Sequence, residues 1–307
     1  MDTYYRTFSS FLREQFGRRV QKITLDAGLT CPHRGRDKRG GCIYCNIHGS
    51  GTGAHARGQG LKEQIETQME AMKRRYKASS FIAYFQSYSN TYAPLENLKA
   101  IYDTILPYPE IVGIAIGTRP DCVDKDVLGL IESYADSRLV WIEYGLQSAS
   151  DETLRLINRG HDVKTFVDAV GLTADYNIRI CAHVIIGLPG EDMGMYETTA
   201  RLVASLPITD LKIHLLYVVK STVMEDMYKG GIYTPLTMED YAIAVARFIA
   251  CLPKDMVIQR ITGDPHPDEL VAPMWALKKR EIINTIHHVI TTEDLYQGTL
   301  YRRDESI

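Results

Sequence analysis

The chain has 307 residues, enough to bury a large core in one α/β barrel or in two smaller domains. With 45% hydrophobic and 24% charged residues it is not a disordered chain, and no apolar run reaches the ~18 residues of a membrane span. The net charge of −3 hides an asymmetry, because residues 1–77 hold 15 Lys/Arg against 7 Asp/Glu and the remainder holds 20 against 31.

The opening segment MDTYYRTFSSFLREQFGRRV lacks the apolar stretch of a secretory signal, which predicts a cytoplasmic protein with reduced cysteines. Short apolar runs then recur about every thirty residues: VQKITL (20–25), FIAYF (81–85), IVGIAI (111–116), LVWI (139–142), ICAHVII (180–186) and LKIHLLYV (211–218). Runs without polar alternation read as strands covered on both faces, hence a parallel sheet. Helical patterns lie between them. Val163, Phe166, Val167 and Val170 make one apolar face within 161–175, and Met195, Leu202, Val203 and Leu206 make another within 192–206. Pro94, Asp124, Asp151 and Asp162 stand at predicted helix starts. Six strand–helix units in a row give an α/β fold, a partial (β/α)6 TIM-like barrel over residues 1–236. After about residue 237 the rhythm breaks into helix 238–251, strand 256–261, the polar loop GDPHPDE and helix 276–290, read as a C-terminal α/β extension (237–307) packed on the barrel.

Three of the six cysteines, Cys31, Cys42 and Cys45, fall in the run CPHRGRDKRGGCIYC, spaced Cys-x10-Cys-x2-Cys. The run follows the first strand, so it belongs at the C-terminal rim, where barrel sites form. Gly28, Gly35, Gly40 and Gly41 let the backbone wrap tightly around an inorganic group. Thiolates this close hold metal: either an iron–sulfur cluster with one iron left open, or zinc with His33 or His48 as a fourth ligand. Cys122, Cys181 and Cys251 are scattered and read as buried free thiols. The basic clusters Arg18–Arg19, Arg34–Arg39 (with Arg36, Lys38 and Arg39) and Lys73–Lys77 are either solvated surface or a patch that meets RNA beside the metal loop.

The loop and the strand ends together resemble the radical S-adenosylmethionine (SAM) enzymes, which use three cysteines with an aromatic residue, here Tyr44, before the third. The long first gap resembles the Elongator catalytic subunit, a radical SAM enzyme that modifies wobble uridine in tRNA. GTRPDCV (117–123), IEYGLQS (142–148), NRGH (158–161) and LKIHLLYVVKST (211–222) resemble segments of that family in order, and GLPGE (187–191) recurs in related radical SAM enzymes. The likeness runs from about residue 20 to 262.

The resemblance implies a [4Fe–4S] cluster on Cys31, Cys42 and Cys45, with SAM on its open iron. It implies SAM contacts from Gln86, Ser89, Asn90 and Thr91 in FQSYSNT, from Gln147 near the ribose, from Arg159 to the SAM carboxylate, from His183 to the nucleoside and from Gly187 beneath the adenine. Arg119, polar at a strand end before Pro120, joins that set, and Glu143 either contacts the cofactor or pairs with a barrel cation. Lys212, Lys220, Arg260, Trp275 and Lys278 are substrate candidates, with Asp264 also able to close the pocket, and Arg34, Arg36, Lys38 and Arg39 are RNA-contact candidates. Gly117 stands where the Elongator subunit carries glutamate. The implied partners are tRNA and an electron donor such as flavodoxin or ferredoxin. Only about 45 residues follow the shared region, so acetyl-CoA-driven carboxymethylation is not expected, and hydrogen abstraction from an already modified uridine is one alternative outcome. Two other classes remain: a radical SAM enzyme for a small metabolite or peptide, and a non-catalytic zinc-dependent RNA-binding protein.

Overall fold

The computed structural model describes residues 4–34, 40–46 and 53–302. Its strands are β1 (Val20–Leu25), β2 (Ser80–Phe85), β3 (Ile111–Thr118), β4 (Leu139–Gln147), β5 (Arg179–Ile186), β6 (Asp210–Leu215), β7 (Val218–Val219), β8 (Val257–Arg260) and β9 (Leu270–Ala272). Seven of them form one parallel sheet in the order β1-β2-β3-β4-β5-β6-β8, curled into a partial barrel. The helices are α1 (Phe8–Phe16), α2 (Leu61–Tyr76), α3 (Leu95–Asp103), α4 (Lys125–Glu132), α5 (Asp151–Leu156), α6 (Val163–Thr173), α7 (Met193–Ser205), α8 (Val223–Lys229), α9 (Met238–Ala250) and α10 (Lys279–Thr292).

Strand parity divides the sheet into two environments. Ile23, Phe81, Phe85, Ile114, Ile142, Ala182 and Ile213 point outward into the main core under the helices. On the other parity Val20, Ile82, Tyr84, Ala115, Trp141 and Val257 point inward, and Phe11 and Leu12 of α1 pack on them. Phe8 and Phe11 meet the Trp141 ring edge-on at 5.7 and 6.3 Å. So α1, to which the sequence reading assigns no element, closes the N-terminal end of the barrel. Thr7 caps it by accepting a hydrogen bond from the Ser10 amide.

The polar starts of the helices are caps. Asp124, Ser150, Asp162 and Asp192 accept from the amides of Val127, Thr153, Thr165 and Met195. Asp151 is therefore the first helical residue, where its charge suits the helix dipole, and Ser150 is the cap. The buried face of α7 is Tyr196, Thr199, Ala200 and Val203, so of the expected face only Val203 turns fully inward.

The expected six-stranded sheet has a seventh member. β8, from the segment read as an extension, pairs parallel with β6. Its free edge is covered by the N-terminal segment, where the Ile258 amide donates to the Arg6 carbonyl at 2.8 Å. Across the seam between the two edge strands, Lys22 Nζ on β1 donates to Gln259 Oε1 at 2.6 Å. After β6 the chain forms a small antiparallel pair, β7 with β9, and α8. These cover a second apolar cluster at the C-terminal rim, containing Leu154, Ile157, Leu216, Val218, Met224 and Tyr233.

Candidate active site

The three cysteines lie at the C-terminal rim, are free, and are partly exposed. The loop that carries them is pinned from three sides. The Ile43 amide donates to the Ile157 carbonyl, the Met224 amide donates to the Ile43 carbonyl, and Asn158 Nδ2 donates to the Gly41 carbonyl at 2.8 Å. Arg34 is buried and donates to the carbonyls of Cys45 and Asn46 at 3.0 and 2.6 Å. Ile43 and Tyr44 pack on the rim cluster, so the aromatic residue before the third cysteine anchors the loop. The thiols lie near enough to act on one another: burial first, then Cys42 and Cys31, push the Cys45 thiol up to about 11 against the pull of Arg34.

Arg159 faces this loop. Its Nη1 stands 3.7 Å from Cys42 Sγ and its Nη2 donates to the Gly145 carbonyl at 2.7 Å. Its Nε is buried without an acceptor. Gly145 is what lets it in, because a Cβ there would lie 2.5 Å from both Arg159 Nη2 and Gln147 Nε2. Gln147 follows a register shift in β4 and has φ +78°, so the strand turns at this point to present its end to the loop.

Arg119 does different work from that expected of it. Its Nε and Nη2 grip both carboxylate oxygens of Asp121 at 2.8 and 2.7 Å, and its Nη1 donates to the Arg159 carbonyl at 2.7 Å. Nη2 also reaches the Gly160 carbonyl at 3.2 Å. With four of its N–H donors engaged and its side chain buried, Arg119 positions Arg159.

The FQSYSNT segment shows the same division. Ser89, Asn90 and Thr91 are buried. Asn90 Nδ2 donates to the carbonyls of Phe85, Ser87 and Gly117, and the hydroxyls of Ser89 and Thr91 join Thr118 at 2.9 and 2.6 Å. These three side chains lock the β2–α3 loop against β3, with Asn90 Oδ1 buried and without a partner. Gln86 and Gln147 remain half-buried at strand ends. Gly187 adopts φ +97°. Its amide is taken by the Tyr196 hydroxyl and its carbonyl accepts from the Tyr233 hydroxyl, so its backbone polar groups are spent inside the protein.

Below the rim the inner face of the barrel is polar. Glu143 is buried and accepts from Lys22 Nζ at 3.0 Å, from His183 Nε2 at 2.7 Å and from Lys212 Nζ. Although burial opposes its charge, Lys212 and Lys22 hold the carboxyl well below the usual carboxylate range. Burial, then Lys212, press His183 down to about 4, and burial presses Lys212 down to about 7 against the pull of Glu143. Lys212 Nζ lies 4.0 Å from the centre of the Tyr84 ring. Ligand atoms of Glu143, Cys181 and His183 come within 4.8 Å of one another. Two ammonium groups already bind that carboxylate, so the group is an ion-pair knot and repels a metal ion. Sequence reasoning reached Glu143, His183, Lys212 and Arg260, and read Cys181 as the buried free thiol it is, but missed Lys22, Tyr84 and Gln259. Their signal is inward parity, which shows only once strand register is known.

The remaining candidates lie elsewhere. Lys220 Nζ donates to the Asp268 carbonyl, Lys278 pairs with Glu281 on the surface, and Trp275 packs beside Tyr241 with Nε1 donating to the Leu236 carbonyl. Asp264 pairs with Lys279. Arg36, Lys38, Arg39 and His48 lie outside the described residues. Arg18–Arg19 and Lys73–Lys77 flank the starts of β1 and β2, and Arg19 Nη1 donates to the Tyr76 carbonyl. These clusters therefore sit at the opposite end of the barrel from the cysteines, about 20 Å away for six-residue strands. Of the expected patch beside the metal loop, these two clusters lie at the far end.

Residues 30–203 match the radical SAM superfamily, and residues 208–291 match the radical SAM C-terminal domain. The chain belongs to the radical SAM superfamily. It is 38% identical over 302 residues to the protein YtqA of Bacillus subtilis, described as uncharacterized, with 98% of this chain and 94% of that one covered. It is 34% identical to the protein YhcC of Escherichia coli over 87% of this chain and 86% of the relative. Human Elongator complex protein 3 is 28% identical over 63% of this chain, which spans 39% of that longer protein. Among solved structures, the archaeal Elp3 of Methanocaldococcus infernus superposes with a TM-score of 0.70 at 15% identity, covering 91% of this chain and 64% of that one. The likeness shows a shared fold.

The residues present fit the family's cluster. Three free thiols share one rim, with a buried guanidinium against one of them and an unpartnered Nε on that same guanidinium. No helix among the described residues is long and apolar enough to cross a membrane.

Proposed function

We propose that the chain is an iron–sulfur radical SAM enzyme that modifies the side chain of a wobble uridine in tRNA. The carrying observation is the join between the cysteine loop and the NRGH turn, where Arg159 stands against Cys42 and Arg119 holds the Arg159 backbone. The long Cys-x10-Cys spacing and the similarity to proteins named as tRNA uridine(34) acetyltransferases support a tRNA substrate.

Cys31, Cys42 and Cys45 would hold the [4Fe–4S] cluster, which supplies the electron that cleaves SAM to a hydrogen-abstracting 5′-deoxyadenosyl radical. Arg159 offers a rigid cation beside the open position, with Nε free for an anionic acceptor such as a carboxylate. Arg119 and Asp121 keep that guanidinium from swinging away. Glu143, Lys22 and Lys212 keep the inner wall polar and fixed, while α1 shuts water out from the far end.

Nucleoside mass spectrometry of tRNA from a deletion strain tests the reading, and an unchanged nucleoside profile would sink it. A second reading, a radical SAM enzyme for a small metabolite or peptide, draws support from the placement of two basic clusters at the far end of the barrel.

A further inference from the structure

We propose that Arg260, with Lys212 beside it, forms an anion subsite on the inner wall of the barrel that receives a carboxylate or phosphate group of the substrate. β8 pairs with β6 so that Arg260 stands in register with Lys212. Its guanidinium forms no hydrogen bond or ion pair with any described residue, and its Nε is buried without an acceptor. Its cationic and imidazole neighbours are engaged: Lys22, His183 and Lys212 close on Glu143.

Charge across the chamber is not balanced. Arg260 acts electrostatically on Lys212, His183, His214, Tyr84, Tyr217 and Tyr241. None of them is an anion near neutral pH. Glu143 is matched by Lys22 and Lys212, Asp210 is matched by Arg179 through Nε and Nη2 at 3.0 and 2.8 Å, and Asp264 is taken by Lys279. Among the described residues no carboxylate forms an ion pair with Arg260.

A half-buried, unpaired guanidinium is costly to keep. It is retained where a ligand brings the missing anion, and its planar fork matches the two oxygens of a carboxylate or phosphate. The wall above it is shaped. A Cβ at Gly263 would come within 2.5 Å of the Tyr217 ring and 2.9 Å of His214, so the glycine leaves those rings close against the subsite. Lys212, an ammonium in the same register, supplies a second donor once the anion competes with Glu143 for it.

Two sources could bring such an anion, the substrate or the carboxylate of SAM, and the test separates them. Reconstituted protein, wild type and Arg260→Gln, is titrated with sodium phosphate and with sodium acetate by calorimetry, with and without saturating SAM. The expected result is binding to the wild type, at least tenfold weaker in Arg260→Gln, and unaffected by SAM. Loss of anion binding when SAM is present would assign the site to SAM and overturn the proposal. A second measurement does not depend on small-anion affinity. Removing an unpaired buried cation should raise the melting temperature of the ligand-free Arg260→Gln protein by about 2–4 °C, whereas a structural arginine would lower it. A lowered melting temperature together with equal anion binding would overturn the subsite. The proposal shares the chamber with the proposed function but not the tRNA assignment. Unchanged tRNA nucleosides with intact anion binding would remove the tRNA and leave the subsite.

Discussion

Arg119 Nη1 donates to the Arg159 main-chain carbonyl at 2.7 Å, across forty residues of sequence. This bond joins the TRPD segment after β3 to the NRGH turn after α5. The guanidinium that faces Cys42 is thus steered by a second guanidinium that touches no thiol. The two like charges have different partners: Asp121 grips Arg119, whereas Arg159 donates to the Gly145 carbonyl and faces the Cys42 sulfur.

The first prediction tests this steering. Arg119→Lys keeps the charge but cannot grip Asp121 with two donors and still reach the Arg159 carbonyl. SAM cleavage, read as 5′-deoxyadenosine released anaerobically, should fall by about 10–100-fold, as for other residues that orient a site's direct contacts. Iron content should stay at the wild-type level, because the cysteines are untouched. Arg119→Ala should in addition cost about 3 kcal/mol in chemical denaturation, since it leaves buried acceptors and a carboxylate unpaired. Full SAM cleavage by Arg119→Lys would show that Arg159 needs no such support.

Gly145→Ala is the complementary change, made on the other side of Arg159. The added methyl would lie 2.5 Å from Arg159 Nη2 and Gln147 Nε2. Both are the far ends of side chains, so they can move aside and the strand can survive. The expected cost is about 1–3 kcal/mol of stability, with SAM cleavage reduced at least tenfold. If Gly145→Ala matches the wild type in both measurements, Arg159 is not held where activity requires it.

The contrast between these two sites and the inner wall shows how far the sequence could be read. The cysteine spacing, the strand runs and the Asp caps announce themselves locally, because each depends on residues within a few positions. Arg119 was legible as a site residue but not as a clamp on Arg159, since the partner lies forty residues away and the bond goes to a main-chain oxygen. The Glu143 knot depends on Lys22, 121 positions earlier, and on parity in four strands. β8 reads as part of an extension because its run is four residues long and its partner β6 lies more than forty residues earlier. The division of the basic clusters follows from strand direction: residues that precede β1 and β2 fall at one end of the barrel and residues that follow β1 at the other.

Acidification should unfold the protein through its inner wall. His183 has a folded pKa of about 4 against an ordinary 6.5, because burial and Lys212 oppose its charge. Between those values the unfolded chain binds more protons, so stability rises with pH there, is fully present above 6.5 and is lost as pH falls toward 4. Glu143, held below the usual carboxylate range, adds a loss of the same sign at lower pH. Lys212, lowered to about 7, adds stability as pH rises from 7 toward 10.5. Urea unfolding at pH 7 and pH 5 should differ by about 2 kcal/mol through His183 alone. His183→Gln should flatten that difference, and an equal slope in the variant would show that His183 titrates normally.

The basic clusters at the N-terminal end of the barrel should prove dispensable for the site's chemistry. Arg18, Arg19, Lys73 and Lys77 precede β1 and β2, and Lys73 already faces Glu110 at 3.5 Å. Surface charges about 20 Å from the rim lie beyond two screening lengths at physiological salt. Replacing all four with glutamine should leave SAM cleavage unchanged within about twofold and stability within about 0.5 kcal/mol per site. If the substrate is tRNA and touches the rim alone, the salt dependence of its binding should also be unchanged, because the log–log slope drops by about 0.9 for every phosphate that the protein ceases to neutralise. A slope that falls by two or more would mean that the nucleic acid wraps around the barrel to its far end.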